Sequence, residues 1–352
     1  MRKFIFGVAI LLLATLLGCN PQVQAPPTAN PPTPQPAESA PPSQSNTETS
    51  VNTTVVPATP ISKIAFVRSR GNSDWDIFTA DSDGKNIVDI TNSPSQDLWP
   101  SWSPDNSKIT FQSSREWHGY PSIYVMDADG KNIKCLTPEK TFCQFPAWSP
   151  DGKTIAYSTS QLSTVGNIGI TPLNLFTMDS SGNNKKPVSP SQSSSQVCPS
   201  WFPDSLRIAY ASNAVGLWEI CDITTDGSAS MRYRICIGTN CGLAFPPSDT
   251  AIQPNSFPAL VISPDGKTIA FDYYNPATYR RDIYALDTGN NGIRCLTCEE
   301  PANCYFPTWS PDGSKIAFTL ESDSNTDIYI MDVDGSNPAL LIKNGMFPSW
   351  QR

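Results

Sequence analysis

Hydrolytic and metal-dependent sites are most often built around histidine, and this chain of 352 residues has one, His118. A Ser-His-Asp or Cys-His nucleophile has that single base to draw on, and a multi-histidine metal centre cannot be assembled. No serine stands in a Gly-x-Ser-x-Gly setting, and no glycine-rich phosphate cradle of the Gly-x4-Gly-Lys-Ser/Thr type occurs. Carboxylate chemistry remains, with Glu116, Asp272 and Glu321 as candidates, but no spacing among them selects an acid–base pair. Residues suited to binding are easier to find. Arg115–Tyr120 brings Trp117, His118 and Tyr120 together, and Tyr273, Tyr274, Tyr279 and Arg280 follow later. Such aromatic and arginine side chains dominate interaction hot spots. A net charge of −8 argues against a nucleic-acid partner.

The elements that would position these residues come from a repeat that begins after Pro60. The phrase Phe-Pro-x-Trp-Ser-Pro-Asp-Gly appears at Trp99–Asp105, Phe145–Gly152, Cys198–Asp204 and Phe306–Gly313, with small variations. A weaker copy, Phe257–Asp265, reads leucine (Leu260) for tryptophan with two extra residues, and Phe347–Trp350 is a truncated copy. Ser-Pro-Asp-Gly and Asp-x-Asp-Gly are turn sequences: proline presets one corner and glycine accepts positive φ. Between them, stretches such as Lys315–Phe318 and Asp327–Met331 alternate apolar and polar residues as strands do. Each unit of 40–50 residues thus offers four short antiparallel strands, A to D, which is the spacing of a propeller blade. Six units result, the first being split: Ile61–Phe66 opens at strand B and Phe347–Trp350 supplies strand A. The expected fold is an all-β, six-bladed propeller of four-stranded antiparallel blades, closed by the C-terminal strand pairing beside the N-terminal one.

These repeats resemble the TolB-type, WD-like propeller family over residues 61–352. The resemblance implies an interaction role in the cell envelope. The family's prototype carries an α/β domain before its propeller and works with a peptidoglycan-associated lipoprotein. Here a proline-rich stretch occupies that place.

Residues 1–18 read as a signal peptide: Arg2 and Lys3, an apolar run Phe4–Leu17, then Gly18 before Cys19. Leu16–Cys19 resembles a bacterial lipobox, which implies lipid attachment at Cys19 and a membrane anchor outside the cytoplasm. Residues 19–60 are rich in proline and poor in large apolar side chains, so an extended, disordered tether is expected. Nine further cysteines would then sit in an oxidising compartment. Repeat alignment places Cys135, Cys236 and Cys295 on strand D, each with a companion in the next loop. Three disulfides follow as expectations: Cys135–Cys143, Cys236–Cys241 and Cys295–Cys304. Cys198, Cys221 and Cys298 are left unassigned.

Antiparallel alternation puts the short A–B and C–D turns on one face and the variable B–C and D–A loops on the other. Trp117, His118, Tyr120, Tyr273, Tyr274, Tyr279 and Arg280 fall on the loop face, which is the expected surface for a protein, peptide or glycan partner. The reading is a non-catalytic, lipid-anchored, monomeric propeller with no metal or cofactor, working at the cell envelope. A carbohydrate- or peptide-cleaving enzyme using channel carboxylates is the alternative.

Overall fold

The computed structural model describes residues 62–352 apart from 72–73, 116–119, 139–140, 161–171, 190–193, 214–217, 234–235, 238–239, 242–258, 276–277 and 323–324. The described residues belong to one compact unit, Pro57–Arg352, and contain strands and turns but no helix. In chain order, β1 (Lys63–Gly71), β2 (Asp74–Asp81) and β3 (Val88–Asp89) are strands B to D of blade one. Blade two is β4 (Asp97–Trp102), β5 (Lys108–Ser113), β6 (Ser122–Asp127) and β7 (Lys134–Cys135). Blade three is β8 (Phe142–Trp148), β9 (Thr154–Ser160), β10 (Asn174–Asp179) and β11 (Lys186–Ser189). Blade four is β12 (Gln196–Trp201), β13 (Arg207–Ser212), β14 (Glu219–Thr224) and β15 (Ser230–Tyr233). A two-stranded ribbon, β16 (Cys236–Ile237) and β17 (Asn240–Cys241), follows it. Blade five is β18 (Leu260–Ile262), β19 (Thr268–Asn275), β20 (Arg280–Asp287) and β21 (Ile293–Cys295). Blade six is β22 (Asn303–Trp309), β23 (Lys315–Glu321), β24 (Thr326–Asp332) and β25 (Ala339–Ile342). Finally β26 (Met346–Trp350) pairs antiparallel with β1, Ile64 opposite Trp350, and becomes strand A of blade one.

Closure is complete. The six A strands pack on one another in the cycle β26, β4, β8, β12, β18, β22 and back to β26. The B strands are buried on both faces because each blade is pressed between two others; Lys108–Ser113, for example, is exposed only at Lys108. The outer D strands are two to four residues long, which leaves little free edge for unwanted pairing.

The turns work as their sequences suggest. In four blades the serine before proline accepts the strand-B amide at 2.9–3.0 Å and donates to the turn aspartate at 2.6 Å. Glycine takes φ near +70° there, and Asn106 and Ser205 adopt the same conformation where glycine is missing. On the C–D turns, Gly130 lies so close to the Ile90 carbonyl of blade one that a Cβ would come within 2.1 Å of it. The first aspartate of each Asp-x-Asp-Gly turn is filled by its own neighbours: Asp127 accepts from Asn132 at 2.6 Å and Lys108 at 2.7 Å. The Thr after the apolar pair also has a defined task. Thr91, Thr137 and Thr297 accept the amides of Ile77, Ile123 and Ile283 at 2.8–2.9 Å, tying the D–A turn to strand C.

Adjacent blades are joined by tryptophan. Trp102, Trp201 and Trp309 donate their indole N–H to the carbonyls of Ser349, Ala147 and Val261 on the preceding A strand, at 3.0–3.2 Å. In blade five the residue before the Ser-Pro turn is Ile262, so the tryptophan position belongs to Ile262 rather than Leu260.

Three sequence expectations about cysteine need correction. Cys236 is not on a D strand: β15 occupies that place, and Cys236 pairs in register with Cys241 on the separate ribbon. Cys295 is bonded to Cys298, with Cα atoms 5.8 Å apart, and not to Cys304. Cys135 and Cys143 carry thiols and are not bonded to each other. The cause is strand alternation. Cys135 and Cys295 pack on one side of their D strands, while Cys143 and Cys304 join the clusters containing Leu136 and Leu296 on the opposite side.

Truncating Trp309 to alanine should cost about 3–5 kcal/mol in urea unfolding, through cavity and transfer terms together. Trp309→Phe, which keeps most of the volume but loses the indole bond to Val261, should cost about 1 kcal/mol. Equal losses for the two would mean the hydrogen bond, not the packing, joins the blades.

Candidate functional site

The A strands do more than close the ring. Each aromatic-proline phrase bulges: the register slips between Leu98 and Ser101, Gln144 and Ala147, Val197 and Ser200, and Tyr305 and Thr308. The residue before each proline, Trp99, Phe145, Cys198, Phe306 or Phe347, has φ between +53° and +57°. That region costs a bulky L-residue about 1–2 kcal/mol. It also directs the side chain to the channel axis. Trp99 meets Phe347 at 4.4 Å, Phe145 at 4.8 Å and Phe306 at 5.0 Å between ring centroids, and Phe306 meets Phe347 at 4.4 Å. Such ring pairs contribute about 0.5–1.5 kcal/mol each and offset the backbone strain.

Bulging takes these residues out of the strand ladder, so their amides need other acceptors. The Phe306 N–H donates to Asp272 Oδ2 at 3.1 Å, and the Phe347 N–H to Thr319 Oγ1 at 3.2 Å. Asp272 Oδ1 takes the Ala259 N–H at 3.3 Å and also the Arg281 guanidinium. Arg281 in turn lies over the rings of Tyr305 and Phe306, 5.3 and 5.6 Å from their centroids. Burial pushes the Asp272 carboxyl upward, against the pull of Arg281 and the two amides. It is committed to holding the floor of the channel, which removes it as a catalytic candidate.

A cavity of about 360 Å³ runs from this aromatic floor to the A–B turns, its wall made of the prolines, serines and tryptophans of the repeated phrase. Cys198 and Arg352 are the titratable side chains on that wall. Burial, reinforced by the Asp272 charge, pushes the Cys198 thiol well up, so it stays protonated. Among the described residues no Asp, Glu or His side chain lines the wall, and no cluster of three His, Cys, Asp or Glu side chains could hold a metal. Concave and mostly apolar, the funnel has the character of a binding cavity.

The funnel opens on the turn face, opposite the loop face that the sequence pointed to. Trp117, His118 and Glu116 lie outside the described residues, as do Cys19 and the whole of residues 1–60. Tyr120 is half-buried. Tyr273 is not a surface residue: it is 2% exposed and packs edge-on against Tyr284 at 5.6 Å, because β19 continues to Asn275 and keeps alternating. Arg280 is a brace, its guanidinium donating to the carbonyls of Cys298 and Glu300 and so fastening the disulfide-closed loop to strand C. Tyr274 is half-buried and Tyr279 is 76% exposed. Glu321 ends β23, half-buried. Among the described residues, Tyr120, Tyr273, Tyr274, Tyr279, Arg280 and Glu321 are absent from the lining of the axial cavity. The sequence signal for an axial site was the bulky residue set before proline in five of the six copies of the phrase, with Cys198 in the sixth.

The architecture defines a six-bladed propeller with a plugged, proline- and tryptophan-lined axis. The family described as the TolB beta propeller domain matches residues 53–236, more than half of the chain, and the chain belongs to that family. A Tol-Pal system protein TolB of Anaeromyxobacter dehalogenans is 31% identical over 90 residues, covering 25% of this chain and 20% of that protein. The chain thus spans about a fifth of the curated relative's length in that match. TolB from Acinetobacter baumannii superimposes with a TM-score of 0.64 at 21% identity, over 82% of this chain and 66% of that one. The Kuenenia stuttgartiensis hydrazine synthase does so with a TM-score of 0.63 at 16% identity, over 83% of this chain and 47% of that one. These likenesses describe the fold, which hosts enzymes and non-enzymes alike.

Asp97 gives the site a pH signature. Its carboxylate is fully buried against Arg115 at 2.6 Å, and burial pushes its pKa up to about 6 despite that partner. The folded state therefore holds this proton more tightly than the unfolded one, so the stability it contributes is present below about pH 4 and lost as pH rises through 6. The size is about 3 kcal/mol. Asp179, Asp226 and Asp312, drawn down to about 2 by hydrogen bonds led by a hydroxyl, act in the opposite sense below pH 4. Asp97→Asn should flatten the fall in unfolding free energy between pH 4 and 6.5. An unchanged slope would assign that fall to other groups.

Proposed function

We propose that this chain is a non-catalytic propeller of the cell envelope that docks a segment of another envelope protein in its axial funnel. One observation carries the reading: the described cavity is apolar, closed at its inner end, and walled by side chains unable to move a proton at neutral pH. Membership of the TolB propeller family supports an envelope setting, as does the name of the Anaeromyxobacter relative, a Tol-Pal system protein. Anchoring at Cys19 through a lipid, with the proline-rich residues 19–60 as tether, fits the same setting. The funnel is preferred to the loop face because two of the seven residues expected there, Tyr273 and Arg280, serve the fold.

A photo-crosslinking amino acid placed at Thr308 or Ser349 in the funnel, in the full chain in its own cells, should yield one discrete heavier species. The same group at Leu340, on an outer strand, should not. Crosslinking from Tyr279 but not from Thr308 or Ser349 would move the docking site to the loop face. Crosslinking from none of them would remove the docking function.

A further inference from the structure

The turn that leaves strand D is built to one plan in blades one, two and five. Ile90, Leu136 and Leu296 donate their amides to the carbonyls of Ile77, Ile123 and Ile283 at 2.8–3.0 Å. The threonines that follow, Thr91, Thr137 and Thr297, accept the amides of the same isoleucines. The residue ahead of the apolar one holds the same ladder place each time: Asp89 opposite Phe78, Cys135 opposite Tyr124, Cys295 opposite Tyr284. What differs is the residue after the threonine, which is Asn92, Pro138 or Cys298. Blade five alone of the three bridges its turn, Cys295 to Cys298. Blade one forms the same turn without a cysteine, and blade two forms it with a Cys135 thiol. The bridge is therefore not needed to shape the backbone, and closing so short a loop removes little chain entropy.

Noncovalent contacts hold the two sulfurs near each other in any case. Besides the bonds shared with the other blades, the Glu300 amide donates to the Thr297 carbonyl at 3.0 Å. The Arg280 guanidinium donates to the carbonyl of Cys298 at 3.1 Å and to that of Glu300. Leu296 and Thr297, between the cysteines, are buried. A dithiol fixed in this way can re-form its bond without a conformational search. The two sulfurs differ in setting: Cys298 is exposed and Cys295 half-buried. The Tyr284 hydroxyl lies 3.4 Å from Cys298 Sγ. Burial pushes that phenol up to about 12, so it keeps a proton to donate toward a sulfur anion. Arg280 adds positive charge beside Cys298, with exposed Glu299 as the neighbouring opposite charge. These are the surroundings of a reactive cysteine. Cys304 stays out of the exchange, because burial pushes its thiol up to about 12 and it packs on the other side of strand D.

We infer that Cys295–Cys298 is a thiol–disulfide exchange site on the rim of blade five, with Cys298 as the reacting sulfur and a vicinal dithiol, or its disulfide, as the partner. In the reducing direction a partner thiolate attacks Cys298 Sγ, the Cys295–Cys298 bond breaks, and Cys295 leaves as a thiolate that takes up a proton. The partner's second thiol loses its proton and attacks the partner sulfur of the mixed disulfide, releasing Cys298, which is protonated in turn. The partner ends as a disulfide, having given up two electrons and two protons, and the propeller carries two thiols. A partner disulfide runs the same steps backwards, beginning with attack by Cys298.

Reduction of the full chain by dithiothreitol, followed by alkylation and site-resolved mass spectrometry, tests this. The Cys295–Cys298 bond should open at a rate proportional to dithiothreitol and unchanged by urea below the unfolding transition, and oxidised dithiothreitol should restore it. Single-thiol variants separate the two sulfurs. Cys298 in the Cys295→Ser variant should react with iodoacetamide about 10-fold faster than Cys295 in the Cys298→Ser variant. Adding Tyr284→Phe to Cys295→Ser should slow the reaction of Cys298. A dithiol peptide, Ac-Cys-Gly-Pro-Cys-NH2, that reduces the bond faster than dithiothreitol would assign the partner to a protein; a rate no faster would assign it to a small dithiol. A rate that climbs steeply with urea, a bond that does not return, or equal reactivity of the two cysteines would overturn the inference and leave the bridge a structural staple.

Discussion

Burial of the tryptophan ring against the preceding blade holds the wheel together, and in three blades the indole N–H also bonds to that blade's backbone. A blade cannot bury both of its faces alone; it must lie against two others. Trp102, Trp201 and Trp309 are buried to 8% exposure or less and reach across to a carbonyl at 3.0–3.2 Å, fixing both distance and rotation between blades. Two of these acceptors, Ser349 and Ala147, lie between proline and tryptophan just after the bulge, and the third, Val261, holds the same place on the unbulged strand of blade five. The acceptor therefore does not depend on the bulge; what the bulge adds is the turn of a side chain to the axis.

Strain and packing balance at the floor. Five bulky or semi-bulky residues occupy a left-handed backbone conformation, and four of them offset the cost by packing on one another in edge-on and tilted ring contacts. The displaced amides of Phe306 and Phe347 are taken by side chains of the preceding blade, Asp272 and Thr319. A buried carboxylate is an expensive acceptor, and Arg281 offsets that cost by bonding to it and lying on the same aromatic ring it supports. Asp272 looks like chemistry in a list of channel carboxylates. In place, it is scaffolding.

Much of this was legible in the chain. Ser-Pro-Asp-Gly gave turns whose serine and aspartate bond as the motif requires, and the split first unit gave the pairing of β26 with β1. The errors share a source, which is proximity along the chain taken for proximity in space. Cys295 and Cys304 are near in sequence but on opposite sides of a strand, whereas Cys298 is within reach at a Cα distance of 5.8 Å. Tyr273 and Tyr274 read as a loop pair, yet β19 runs through both and buries the first. The Leu260 alignment failed because a missing bulge shifts the frame in blade five, which only the ladder with β19 reveals.

In a ring of near-identical units, the shared residues explain stability and the departures show where function can be specific. Sixfold aromatic symmetry would give a closed, featureless floor, equally good for any apolar surface. Blade five breaks that symmetry in three linked ways: no bulge, alanine on the axis, and an aspartate where other blades carry threonine, glutamine, serine or an apolar residue on strand B. The changes depend on each other, since Asp272 takes the Ala259 amide that the unbulged strand presents. A single substitution could not restore an aromatic there without re-registering the strand. The asymmetry is therefore held by main-chain geometry rather than by one side chain, and a feature held that way keeps a fixed shape when something else enters beside it.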